Sequence, residues 1–184
     1  MNKQVLFFSM PFFSDICTLF FITMSEEFKV VSNSEETTRK IAKKIARLFH
    51  PGDIIILDGD LGAGKTYFVK GFTENFDSND LVSSPTFSIA NFYRTDICEI
   101  LHIDLYRISS IDDFNDLGLY DYFGQSIALI EWGKKIADLF DDYFFISFEI
   151  NDNNTRTLTF TSQGDKFNST MDKIKTLFKG GELC

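Results

Sequence analysis

Residues Gly59 to Thr66 read GDLGAGKT, the spacing G-x-x-x-x-G-K-T. Glycines at 59, 62 and 64 let a backbone turn tightly and approach a ligand closely. The N–H groups of such a loop, with those at the head of a following helix, converge on one point and suit clustered negative charge. Lys65 supplies a compact cation for the outer phosphates of a nucleotide, and the Thr66 hydroxyl suits Mg²⁺. Gly59, Asp60, Leu61, Gly62, Ala63, Gly64, Lys65 and Thr66 are therefore candidate nucleotide-binding residues.

Phosphoryl chemistry also needs a carboxylate to hold the metal or orient a water. Asp104 follows the run ILHI, and Glu131 follows IALI. Each is an acid at the end of a short apolar segment. The carboxyl ends of strands line the ligand crevice in an open α/β sheet. Asp104 and Glu131, with Lys65, are the candidate catalytic residues; Thr66, Glu131 and Asp104 are the candidate metal ligands. Trp132, the only tryptophan, directly follows Glu131. Asp121 to Gly124 fits D-x-x-G but does not end an apolar strand, so the match is read as chance. The chain has no N-K-x-D element to read guanine, which favours adenine and hence ATP.

These residues need elements to position them. Asp53 to Leu57 (DIIIL) is a short β-branched run, as expected of a buried parallel strand. The glycine loop follows it, and a helix is expected from Lys65 to Asn75. Lys29 to Val31 reads as a strand. Asn33 with Glu36 reads as a capping pair opening a helix whose apolar face holds Ile41, Ile45, Leu48 and Phe49. Strands are expected at 88–94, 98–103 and 127–130, a short helix at 112–117, a hairpin of 143–150 with 156–161, and a final helix at 167–178. Strands alternating with helices predict one α/β domain of the P-loop NTPase type, residues 24–184, with a mixed, mostly parallel sheet flanked by helices.

Residues 1–23 are far more apolar than the rest. A spanning helix needs about 20 unbroken apolar residues. Pro11 and Asp15 interrupt this segment, and no A-x-A-like cleavage site follows it. The expectation is an extension ahead of a true start at Met24, and no membrane association.

The 184 residues carry 18 Lys plus Arg and 27 Asp plus Glu, a net charge of −9. So acidic a chain is poorly suited to gripping nucleic acid or an anionic membrane by itself. Cys17, Cys98 and Cys184 lack metal-ligand spacing and suit a reducing, cytoplasmic setting.

GDLGAGKT, SPTF (Ser84 to Phe87), HIDLYR (His102 to Arg107) and EW (Glu131-Trp132), in this order and spacing, resemble the TsaE family of small P-loop ATPases. The resemblance runs from about Ser25 to Thr161. It implies a Mg²⁺-dependent ATP hydrolase that supports the TsaB–TsaD complex in threonylcarbamoylation of adenosine 37 of tRNA, meeting tRNA only indirectly. It implies that Ser84 and Thr86 form a switch-like loop beside the γ-phosphate and that Trp132 shapes the site. It places Glu131 near Mg²⁺ and Asp104 on the metal's water shell or the attacking water, with the two roles exchangeable. Thr37, Thr38 and Arg156 are candidates for the adenine pocket by the same resemblance. Arg107 is a candidate for an ion pair or a partner contact. Tyr67 stands where a second Thr is common, and Gly133 where a Pro is common, a change expected to loosen that loop. No arginine finger is evident, so turnover is expected to be weak alone and partner-stimulated. The alternatives are a small-molecule kinase and a nucleotide-dependent binding module without hydrolysis.

Overall fold

A computed structural model describes residues 27–78 and 80–179. The apolar extension 1–23 and the expected start at Met24 lie outside the described residues.

Seven strands form one sheet: β1 (Phe28–Ser32), β2 (Ile54–Gly59), β3 (Ala90–Arg94), β4 (Glu99–Asp104), β5 (Ser126–Glu131), β6 (Tyr143–Ile150) and β7 (Arg156–Gln163). Their order is β1-β7-β6-β2-β5-β4-β3. The pairs β6–β2, β2–β5 and β5–β4 are parallel, so the centre of the sheet is parallel. The pairs β1–β7, β7–β6 and β4–β3 are antiparallel, as hairpins and edge strands permit.

Alternation along β2 explains the layers. Ile55 and Leu57 pack with Ile41, Ile45, Phe68, Phe72 and Ile174, on the face covered by α1 (Glu35–Ala46), α2 (Lys65–Glu74) and α5 (Asn168–Phe178). Ile54 and Ile56 face the other way, onto Leu101, Ile103, Phe114 and Ile136. That face is covered by α3 (Ile111–Asn115), α4 (Tyr120–Phe123) and a 3₁₀ segment (Gly133–Leu139). Three phenylalanines, Phe72, Phe144 and Phe167, meet around Phe49, with ring centroids 5.2–6.2 Å from its own. Full burial of each such ring is worth about 1.5–3 kcal/mol.

The first helix starts one residue later than its expected cap. Ser34, not Asn33, is the N-cap: its extended backbone (φ −162°) lets its Oγ accept the Thr37 N–H at 3.0 Å. The carboxamide of Asn33 instead accepts the Thr37 hydroxyl. Helix α4 and the 3₁₀ segment were not anticipated; both are short, and burial of Phe123, Ile136 and Ala137 holds them. Asp121 to Gly124 falls in and just after α4. Gly124 lies beside Gly52, whose N–H bonds Ser126 O at the start of β5, so this tetrapeptide sits at the opposite end of the sheet from the glycine loop.

Candidate functional site

Strand β2 ends at Gly59, and α2 begins at Lys65, so GDLGAGKT is the strand-to-helix turn. Gly59 has φ 142°, and a Cβ there would lie 2.4 Å from Phe148 O on β6. Only glycine fits that approach. Gly64, with φ 105°, caps α2. The N–H groups of Gly64, Lys65, Thr66 and Tyr67 head this helix and have no intrahelical partners, an arrangement that suits an anion.

The parallel register brings the acids to the same place. Leu57 of β2 pairs with Glu131 of β5, and Glu131 pairs with Asp104 of β4. The Thr66 hydroxyl donates to Glu131 Oε1 at 2.9 Å. Asp104 Oδ2 accepts Thr86 Oγ1 at 2.6 Å and Ser84 Oγ at 3.1 Å, while its Oδ1 accepts the Tyr106 N–H. The serine–threonine loop is thus tied to one acid and the glycine loop to the other.

Lys65 is buried and folds back on its own loop. Its Nζ donates to Gly59 O at 2.6 Å and Asp60 O at 3.0 Å, and lies 3.8 Å from the centre of the Trp132 ring. Burial pulls its pKa below the ordinary lysine value, against the nearby carboxylates of Glu131, Asp58, Asp104 and Asp60. Trp132 is held in a left-handed conformation (φ 61°), and its N–H bonds Leu57 O. Its ring also packs on Tyr106.

A cleft of about 260 Å³ joins these groups. It is lined by Glu35, Leu61, Gly62, Gly64, Lys65, Thr66, Tyr67, Ser84, Thr86, Asp104, Tyr106, Glu131 and Trp132. Gly59, Asp60 and Ala63 belong to the loop but not to this lining: the first two contribute carbonyls to Lys65, and Ala63 is buried. Thr37, Thr38 and Arg156 do not line the cleft. Thr37 completes the cap of α1, Thr38 bonds Ser32 at 2.8 Å, and Arg156 donates to Asn154 O. Arg107 makes no ion pair among the described residues; its guanidinium lies 4.5 Å over the exposed Phe87 ring.

Sequence reasoning passed over His102 as a functional side chain and did not single out Tyr93. His102 is fully buried, and its Nε2 lies 2.9 Å from Glu131 Oε1. The period of two along a strand was the available signal, since it sets His102 on the same face as Asp104. Glu35 and Tyr67 carried no signal, because their place beside the cleft depends on how α1 crosses α2.

A family model for "Threonylcarbamoyl adenosine biosynthesis protein TsaE" matches residues 32–158. The chain belongs to the TsaE family. A TsaE of Bacillus subtilis is 38% identical over 141 residues, which cover 76% of this chain and 88% of that protein. A TsaE of Rickettsia felis is 37% identical over 129 residues, covering 69% and 75%. The crystal structure of YdiB from Bacillus subtilis superposes with a TM-score of 0.72 at 31% identity, covering 83% of this chain and 97% of that one. Gly133, which follows Trp132 at the start of the 3₁₀ segment, is buried. A Cβ there would already stand 3.0 Å from Ile130 Cγ2 and 3.1 Å from Ile56 Cγ2. Among the described residues no helix is long and apolar enough to cross a membrane.

Proposed function

We propose that this member of the TsaE family binds and hydrolyses Mg²⁺–ATP in the cleft between the glycine loop and the ends of β4 and β5, in service of tRNA threonylcarbamoyladenosine biosynthesis. The observation that carries the proposal is the convergence of Lys65 and Thr66, at the head of α2, with Asp104 and Glu131 on one cleft. Relatives of known name are called tRNA threonylcarbamoyladenosine biosynthesis proteins, which supports the same role here.

The donor set suits Mg²⁺. The ion prefers hard oxygens, keeps several waters, and takes one or two carboxylates with phosphate oxygens rather than a cage of protein ligands. Thr66 Oγ1 and Glu131 offer such oxygens within one hydrogen bond of each other, with Asp104 opposite. Among the described residues no group of three or more His, Cys, Asp or Glu forms a metal cage, consistent with an ion held largely by substrate and water. The bound ion would neutralise charge on the phosphates and act as a Lewis acid.

The protein's own groups do the rest. Lys65 leaves the Gly59 and Asp60 carbonyls to meet the outer phosphates. The loop N–H groups cradle those phosphates. Asp104, already holding Ser84 and Thr86, orients the water or the loop that senses the γ-phosphate. Arg39, Arg47, Arg94, Arg107 and Arg156 are the arginines of the chain, and none lines the cleft. Transition-state charge therefore lacks an arginine in cis, so isolated turnover is slow and a partner, the TsaB–TsaD complex, raises it. The test is Mg²⁺-dependent ATP hydrolysis with and without purified TsaB–TsaD. Stimulation that is lost in Glu131→Ala supports the reading. Equal, unstimulated rates remove the partner, and a phosphorylated small-molecule product would make the chain a kinase.

A further inference from the structure

We infer that His102 and Tyr93 are positioning residues that fix the Glu131 carboxylate relative to the segment Ser83 to Phe87, so that the two walls of the cleft move as one. The inference rests on the proposed hydrolysis at Glu131, but the contact itself is testable without turnover.

The connection is a chain of hydrogen-bond contacts in which the one Tyr93 hydroxyl proton alternates between two acceptors. Glu131 Oε1 takes both described bonds of that carboxylate, one from Thr66 and one shared with His102 Nε2 at 2.9 Å. The other ring nitrogen, Nδ1, lies 3.3 Å from the Tyr93 hydroxyl. That hydroxyl donates to Ser83 O at 2.9 Å and accepts Asn91 Nδ2 at 3.3 Å. Ser83 directly precedes Ser84, whose hydroxyl reaches Asp104. The line thus begins at one acid and returns to the other across β5, β4 and β3.

Proton placement gives the line a direction. A carboxylate only accepts, so Nε2 of His102 carries a hydrogen. Tyr93 has one hydroxyl proton and two acceptors within reach, Ser83 O and His102 Nδ1. Burial raises the Tyr93 pKa, so at neutral pH the proton stays on the phenol. When it turns to Nδ1, Asn91 Nδ2 remains as the described donor to Ser83 O, at 3.3 Å. When it turns to Ser83 O, the loop is held more tightly and Nδ1 loses that donor. A single rotatable O–H therefore couples the tautomer-fixed ring behind Glu131 to the loop that carries Ser84 and Thr86. His102 is completely buried and Tyr93 nearly so, which gives the coupling a dry path.

A purely structural histidine would satisfy buried groups and affect only stability. A positioning histidine changes turnover at constant nucleotide affinity. The comparison is His102→Leu, His102→Gln and Tyr93→Phe in the full chain with TsaB–TsaD. His102→Gln keeps an N–H donor near the position of Nε2. Outer partners of metal ligands are worth about 10–100-fold, so His102→Leu should lower kcat by about that factor, with the KM for ATP nearly unchanged. His102→Gln should recover most of the loss. Tyr93→Phe should lower kcat less, and the Leu and Phe changes together should be less than multiplicative. Equal kcat for the folded Leu and Gln variants, or a raised KM with kcat unchanged, would overturn the inference.

Nitrogen NMR of the His102 ring provides the second readout and needs no folded Leu variant. The expected signature is a protonated Nε2 and a bare Nδ1, with Nε2 shifting in Glu131→Gln and Nδ1 in Tyr93→Phe. Ring signals indifferent to both changes would sink the relay. A wild-type protein without hydrolysis would sink the functional reading instead, and the NMR result would still stand.

Discussion

Asp104 and Glu131 are direct Cα partners on neighbouring parallel strands, so two acids close β4 and β5 at the same level. They are not duplicates. Glu131 holds the Thr66 hydroxyl and so belongs to the glycine loop. Asp104 holds Ser84 and Thr86 and so belongs to the opposite wall. If both serve one phosphoryl site, each isosteric neutralisation should disable it. Asp104→Asn and Glu131→Gln are each expected to lower hydrolysis by about 100-fold or more, and the double variant by little more than either alone, as groups acting in one unit do. Partner-stimulated rates with nucleotide affinity measured separately check this. Independent, multiplicative losses would mean that the two acids act at different steps.

The only tryptophan lies under the site's cation. Lys65 Nζ stands 3.8 Å from the Trp132 ring centre while bonding loop carbonyls. A phosphate draws the ammonium toward itself, and the ring then loses its cation. Intrinsic fluorescence should therefore change on adding nucleotide to the isolated protein. The change should vanish in Lys65→Ala and persist in Glu131→Gln. A signal of equal size in Lys65→Ala would place its origin elsewhere than at the cation.

The crossing of α1 and α2 depends on Gly71. A Cβ at that position would lie 2.1 Å from Arg39 O, a backbone atom that cannot step aside as a side chain would. Gly71→Ala must push the helices apart, and with them Glu35 and Tyr67 beside the cleft. Overpacking of this kind costs about 1–3 kcal/mol. Gly124→Ala, where a Cβ meets nothing within 4 Å, should change stability by less than about 0.5 kcal/mol. Urea unfolding of both variants makes the comparison.

What was legible followed from local rules. GDLGAGKT announced its turn because three glycines at that spacing, between an apolar run and a helical one, restrict the backbone. The place of Asp104 and Glu131 at strand ends was legible because each follows a short apolar run. The hairpin of β6 and β7 was legible from its alternation and its Asn-rich turn. The rest needed the third dimension. Ser34 outcompeted Asn33 as cap through its backbone conformation, which composition does not reveal. His102 looked like a strand residue in an apolar run until β5 placed Glu131 beside it. Thr37 and Thr38 sit in the first turn of α1, where their hydroxyls bond Asn33, Ser32 and Ser34, a pairing their spacing alone did not specify.

Lys65 should also make nucleotide binding sensitive to alkaline pH. In the free protein, burial holds its pKa below the ordinary lysine value, although four carboxylates oppose that effect. A phosphate beside the ammonium favours the charged form and moves the pKa back up. Between the lowered free value and the raised bound value, nucleotide binding must take up a proton. Affinity should therefore fall as pH rises through the pKa of the free protein, which lies below the ordinary lysine value. Titration calorimetry in buffers of different ionisation enthalpy reads this uptake directly. Lys65→Arg keeps a charge that does not titrate in this range, so its residual binding should show no proton uptake. If the wild-type protein binds nucleotide without taking up a proton across that window, the buried ammonium is not what meets the phosphates.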